Sequence, residues 1–478
     1  MRTSLWGKVL AIGAIVGVLM LVLARIGFLI DERRGRQLEA IQSVQQSQAG
    51  AQVVMGPWLH RSCTEEWDVE VGEGKERRLQ TQRRDFRLQQ APQTLNVTSF
   101  ATAESRYRGL FKVNGFLGKL DFSAQWPALD ALEPKAENKG GRLACDPVTL
   151  MVAVADTRGV QRAEVKLNKQ SQTVHAGTNH PKYTRGLHVP FAMAIDAGPL
   201  TAEVSLDLRG TGRLELVPSA AQTEWDLRSD WPHPSFGGRF LPVQRDVTEE
   251  GFRAVWRVSE LASSAARDVA QSLLMCSDDG GVPQAAPYAS SDHDPGNNDP
   301  VAARGSHCLD TLAVSFIDPI NPYVLSDRAV KYGLLFVALT FIAVALTEVL
   351  GRARVRRVHP VQYALVGLAL SLFFMLLLAL SEHLLFEIAY AVASVACAGV
   401  LGVYGANMLG GWRAGAVFGA ALGGLYGLMY VLLTREQTAL VVGAIGLFAA
   451  VAAVMLLTRK LDWYRLFDDL APPRVKAE

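Results

Sequence analysis

The chain has 478 residues, of which 49% are hydrophobic and only 20% charged, with a formal net charge of +2. That length leaves room for two or three domains, and a near-neutral chain without a concentrated basic face excludes nucleic acid as a partner. The averages conceal two unlike parts, a polar middle and an apolar C-terminal end.

Leu5–Ile30 is the first apolar run, accompanied by Arg2 and Lys8. A cleaved signal peptide ending at Val22 and Ala24 is one reading. Apolar character resumes at Ile26–Ile30, however, and makes the run long enough to span a bilayer, so a retained anchor is expected over residues 1–30. Arg25 then lies near the outer interface, where its long stem reaches the headgroups. Residues 31–52 are rich in Arg, Glu and Gln, a composition suited to a helix continuing out of the membrane.

From Val53 to about Leu261 the pattern changes to short alternating runs such as LNVTSFA, LMVAVAD, AEVSLDL and FRAVWRV, separated by Gly, Pro, Asn and Asp. Alternation with β-branched and aromatic residues at this spacing predicts antiparallel strands in an all-β, sandwich-like domain over residues 53–328. Two phrases, GLFKVNG…DFSAQWP and GRLELVP…WDLRSDWP, resemble each other as strands ending in Trp-Pro. Val258–Leu274 reads as helical. The Asp-, Asn-, Gly-, Pro- and Ser-rich stretch between Cys276 and Cys308 reads as a loop, and TLAVSFIDPINPY returns as a strand toward the C-terminal region.

Bilayer hydrocarbon is about 30 Å thick and needs roughly 20 apolar residues to cross it. Five such runs follow, over Val330–Leu350, Val361–Leu380, Leu384–Tyr404, Ala414–Leu433 and Ala439–Leu457. With the anchor they predict six transmembrane helices, five of them in a bundle over 329–464, and a tail over 465–478. Short cytoplasmic loops concentrate Lys and Arg. Arg352, Arg354, Arg356 and Arg357 therefore place their loop in the cytoplasm. Alternation then puts Ser381–His383 outside, Asn407–Arg413 inside, both termini inside and the β domain outside. Arg33, Arg34 and Arg36 run against this rule, but they precede a long translocated domain, whose charges count for less.

No Ser/His/Asp pattern, Walker loop, HExxH or dinucleotide fingerprint stands in a supporting context. His233 lies in the packed turn Trp231–Pro242. Glu382 and His383, with Glu387 one turn on, form a polar group at the outer end of the bundle. Ionisable groups at membrane depth are costly and often functional, so an ion, proton or headgroup site is weighed there against simple exposure to water or helix capping. Glu348 has the arginines after it as partners. Gly411, Gly415, Gly419, Gly423 and Gly427 recur every fourth residue, a stripe for close helix approach. Trp463 and Tyr464 fit an interfacial belt. Asp292–Asp299 offers oxygen ligands but lacks the EF-hand spacing and its terminal Glu, so no metal is expected.

Four cysteines, Cys63, Cys145, Cys276 and Cys308, fall in the part placed outside, where disulfides persist. They permit three pairings. The loop between Cys276 and Cys308 has no core to hold its ends, which favours that pair and leaves Cys63 for Cys145. Cys397, in the fourth span, is expected as a buried thiol.

The phrases DRAVKYG (Asp327–Gly333), HPVQY (His359–Tyr363), LSEH (Leu380–His383) and TRKLDWY (Thr458–Tyr464) resemble, in order and spacing, the CreD family of bacterial inner-membrane proteins. ERRGR (Glu32–Arg36), RYRG (Arg106–Gly109), WPHPSFGGRFLP (Trp231–Pro242) and GFRAVW (Gly251–Trp256) extend the resemblance over nearly the whole chain. It implies a multi-pass inner-membrane protein without enzymatic activity or cofactor. Such a protein supports envelope integrity in a stress response, in contact with membrane lipids and envelope proteins. A transporter or lipid-handling protein working at Glu382, His383 and Glu387 is the alternative.

Overall fold

The computed structural model describes residues 5–71, 78–192, 198–276, 308–318, 321–350, 358–435 and 439–459. The chain divides into two compact units, one of Met1–Leu38 with Ile320–Glu478 and one of Glu39–Pro319.

The first unit is helical. Helix α1 runs unbroken over Leu5–Ser47, so the first apolar run and the polar stretch after it form one element whose last residues belong to the second unit. The other helices of the first unit are α3 (Pro322–Leu350), α4 (Pro360–Ser381), α5 (Phe386–Met408), α6 (Trp412–Thr434) and α7 (Ala439–Thr458); the short α2 (Ala265–Ala270) lies in the second unit. Among the described residues five helices are long and apolar enough to cross a membrane, and α7 contributes a shorter apolar stretch, Val441–Leu456. Helical form is enforced in hydrocarbon because each backbone N–H and C=O must find its partner within the segment. The start of α4 is set locally. Pro360 occupies the first turn, His359 Nδ1 accepts from Val361 N–H, and Gln362 closes the capping box on the His359 N–H, satisfying donors that a helix N-terminus otherwise leaves bare.

The second unit is built from two β-sheets. The strand Gln52–Val71 is the backbone of a nine-stranded sheet, pairing antiparallel with Arg78–Gln90, Arg142–Cys145 and Val148–Val154, and parallel with Arg213–Leu216. In the eight-stranded sheet, Phe111–Trp126 lies between Thr94–Arg108 and Leu200–Thr211. Thr94–Arg108 and Phe111–Trp126 alternate buried and exposed residues, as expected of a sheet with one wet face. Val148–Val154 is buried at every position, because its inner face joins the core with Val54, Leu120 and Trp225 while its outer face is covered by α2 and Tyr183.

Three expectations need correction. Both sheets are mixed rather than purely antiparallel, since Gln222–Ser229 also runs parallel to Thr94–Ala101. The two Trp-Pro phrases are not equivalent: the first is one continuous strand, whereas the second divides between Arg213–Leu216 in one sheet and Gln222–Ser229 in the other. The segment after Val258 is helical only over Ala265–Ala270, because the strand Gly251–Ser259 pairs along its full length with Gln222–Ser229. Cys63 bonds Cys145, its direct partner across the strands, and Cys276 bonds Cys308. Asp292–Asp299, the arginines 352–357, Trp463 and Tyr464 lie outside the described residues.

Two histidines are fully enclosed beneath residues 178–183. His60 is 1% and His180 2% exposed, with ring centroids 5.5 Å apart. Burial, the Arg87 guanidinium and, for His60, the nearby His188 ring hold both imidazoles below the ordinary range, His180 down to about 3. An unfolded chain takes up these protons near pH 6.5, so the stability tied to the neutral rings is present above that pH and is lost as pH falls toward the folded values. The stability of the β domain is therefore expected to fall between pH 6.5 and 5, by on the order of 1.4 kcal/mol per pH unit for His180 with a further loss from His60, and the thermal midpoint falls with it. Scanning fluorimetry of the full chain and of His180→Gln checks this: the variant should lose part of the slope.

Candidate functional site

The polar group at the end of α4 is assembled differently from its order in sequence. Glu382 follows the last turn of α4, and its side chain is only 10% exposed. It turns toward α1, where Arg33 Nε lies 3.5 Å from Glu382 Oε1. Tyr323, at the start of α3 and 5% exposed, faces the same carboxylate. Asn321 adds a hydrogen bond from its amide to Gln37 Oε1 at 3.3 Å and caps the Tyr323 N–H at 3.0 Å. His383 and Glu387 are exposed, and the His383 N–H closes the end of α4 on Leu380 O. Of the three residues grouped by sequence, only Glu382 enters the enclosed site; its partners come from α1 and α3.

A carboxylate so enclosed is costly unless a counter-charge is held beside it. Arg33 supplies that charge, which gives this arginine a role that the positive-inside rule alone leaves unexplained. The arrangement ties α1, α3 and α4 together at one point.

The glycine stripe is narrower than its sequence repeat. A methyl group on Gly415 would sit 2.5 Å from Gly402 O and 2.5 Å from Ala406 N, and one on Gly419 would sit 3.2 Å from Gly402 Cα. Gly411, Gly423 and Gly427 would meet nothing within 4 Å. Close approach of α5 and α6 thus rests on Gly402, Gly415 and Gly419. Next to this contact is an aromatic core that periodicity did not single out. Tyr426 packs against Phe373 and Phe336, its hydroxyl donates to Cys397 Sγ at 3.1 Å, and the Tyr390 hydroxyl donates to Tyr426 O at 2.7 Å. Cys397 is a buried free thiol. Toward the other end of the helices the Tyr363 hydroxyl donates to Glu348 Oε2 at 3.3 Å. His233 lies in its turn with its carbonyl accepting from Trp231 Nε1.

The family model described as "Inner membrane protein CreD" matches residues 4–464. The inner membrane protein CreD of Escherichia coli (strain K12) is 31% identical over 477 residues, spanning 99% of this chain and 95% of that protein. Among solved structures, an M1 zinc metallopeptidase from Deinococcus radiodurans aligns at 9% identity and a TM-score of 0.21, over 35% of this chain and 38% of its own. A mutant of that enzyme aligns at 8% and 0.20. An overlap of that kind transfers neither fold nor chemistry.

Two measurements test these contacts. Glu382→Gln and Arg33→Gln should each destabilise the purified full chain by about 1–3 kcal/mol, with the double variant well short of their sum because both remove one pair. Additive losses would show that the two side chains act apart. Gly415→Ala should lower the thermal midpoint and the yield of folded protein, since the added methyl meets backbone that cannot step aside, whereas Gly423→Ala should leave both unchanged.

Proposed function

The chain belongs to the CreD family of inner membrane proteins, and from this membership we propose that it supports cell-envelope integrity as a non-enzymatic membrane protein acting in an envelope stress response. In this reading the β domain lies in the periplasm, both termini are cytoplasmic, and the partners are membrane lipids and envelope proteins. The observation that supports the compartment is the pair of disulfides, Cys63–Cys145 and Cys276–Cys308, both within the β domain. Bonds of this kind persist in the oxidising periplasm and are rare where thiols are kept reduced.

A second reading, a lipid-handling or transport protein, is favoured by one specific observation, the enclosed Glu382 carboxylate with Arg33 and Tyr323 around it. The two separate by experiment. Crosslinking in intact membranes followed by mass spectrometry should recover envelope-assembly proteins in the first case and a stoichiometric lipid in the second. A strain carrying Glu382→Gln with His383→Ala at normal protein level should resist envelope-targeting agents as the parent does under the first reading, and behave as the deletion under the second.

Topology is tested by a reporter active only outside the membrane. It should work when fused at Leu200 and fail when fused at Val355 or after Lys476, because the arginines before His359 are expensive to translocate. Activity at Val355 would reverse the orientation.

A further inference from the structure

The enclosed histidines of the β domain have a feature that neither the fold nor the membrane unit uses. His60 Nε2 lies 3.0 Å from Thr178 O. A carbonyl only accepts, so the ring hydrogen is on Nε2 and holds the segment that carries His180. His180 Nδ1 in turn accepts from the N–H groups of Lys182 and Tyr183, at 3.2 and 3.3 Å. Its lone pair is therefore on Nδ1 and, in the neutral ring, its hydrogen is on Nε2. That Nε2–H faces Arg87 Nη1 at 3.5 Å. Two donors point at one another. The other tautomer would strand the two N–H groups of the loop, so moving the hydrogen does not relieve the conflict.

Arg87 adds a second, independent observation. It is half-buried, makes no ion pair among the described residues, and its Nε–H is buried without an acceptor. An arginine stays charged inside a protein, and an uncompensated charge away from water costs several kcal/mol. In the cleft of about 550 Å³ that Arg87 lines with Ser62, Thr64, Arg83, Asp85 and Asp146, Arg83 pairs with Asp85 at 3.0 Å, and Asp146 is exposed to water. Behind Arg87 stand His180 and, beyond it, His60, neither of which supplies a negative charge.

We propose that Arg87, which finds only a donor in the enclosed His180 behind it, forms with the Ser62 hydroxyl a binding site for an oxyanion, the carboxylate or phosphate group of a ligand that enters through the cleft beside the Cys63–Cys145 disulfide. An oxyanion in the cleft accepts from the guanidinium and supplies the counter-charge that no group behind Arg87 provides. Ser62, the register partner of Arg87 across the strands, offers a hydroxyl next to it. The cleft's size suits a small solute or a phospholipid headgroup, and the chemistry of the site is the same for either.

The test is calorimetric titration of the full-length protein in detergent with inorganic phosphate and, separately, acetate, at constant ionic strength and neutral pH. Saturable one-to-one binding of one of them is expected. Arg87→Gln should weaken it at least tenfold, and Arg83→Gln, whose charge is already paired, less than twofold. Competition by dihexanoyl phosphatidylglycerol would assign the site to a headgroup, and its failure to compete would assign it to a soluble solute; both uphold the oxyanion. No saturable heat with either anion in the wild-type chain would overturn the proposal, even if Arg87→Gln failed to fold. So would equal affinity in a folded Arg87→Gln protein.

Discussion

The exclusion of water from the bilayer interior decides how this chain is partitioned. A peptide group in hydrocarbon has only its own segment to bond with, so the apolar runs after Pro322 become helices. Outside the hydrocarbon that demand is relaxed, and backbone groups are paired between distant segments instead. Gln52–Val71 bonds to four different strands drawn from residues 78 to 216. The same physical requirement, no buried N–H or C=O left unpaired, thus gives local pairing in one unit and long-range pairing in the other.

Charges placed where water is scarce show a second consequence. Glu382 is paired with Arg33, and Glu348 receives the Tyr363 hydroxyl. Each carboxylate is met by a group from another helix, so polar contacts mark where helices are tied while the small residues Gly402, Gly415 and Gly419 allow α5 and α6 to approach. Tyr426 and Tyr390 follow the same rule, burying large rings only where their hydroxyls reach a partner.

In the β domain the outer face of the nine-stranded sheet is not left to solvent. Met55, Trp58, Met151 and Tyr183 form a second apolar layer with Ala265 and Val269 of α2. Enclosing that face also encloses His60, His180 and part of Arg87, and polar groups caught in such a layer stay satisfied only by fixed tautomers and specific partners. In this layer Arg87 Nε and His60 Nδ1 are left without a partner from the protein's own described groups.

The sequence by itself determined the membrane helices, the β character of the middle of the chain and the family, because length of apolar run and two-residue alternation are local properties that need no knowledge of neighbours. It also favoured the Cys276–Cys308 bond from the nature of the intervening loop. It grouped Glu382 with His383 and Glu387 because they are close in the chain, whereas helix packing turned Glu382 inward to Arg33 and left the other two exposed. The five-residue glycine repeat was legible, yet which glycines touch another helix depends on where α5 crosses α6, and only Gly415 and Gly419 lie at that crossing. The parallel strand pairs and the meeting of His60, His180 and Arg87 were likewise decided by tertiary structure: their partners are separated by tens of residues or more, and no local period records which distant strand or loop will supply the missing hydrogen bond.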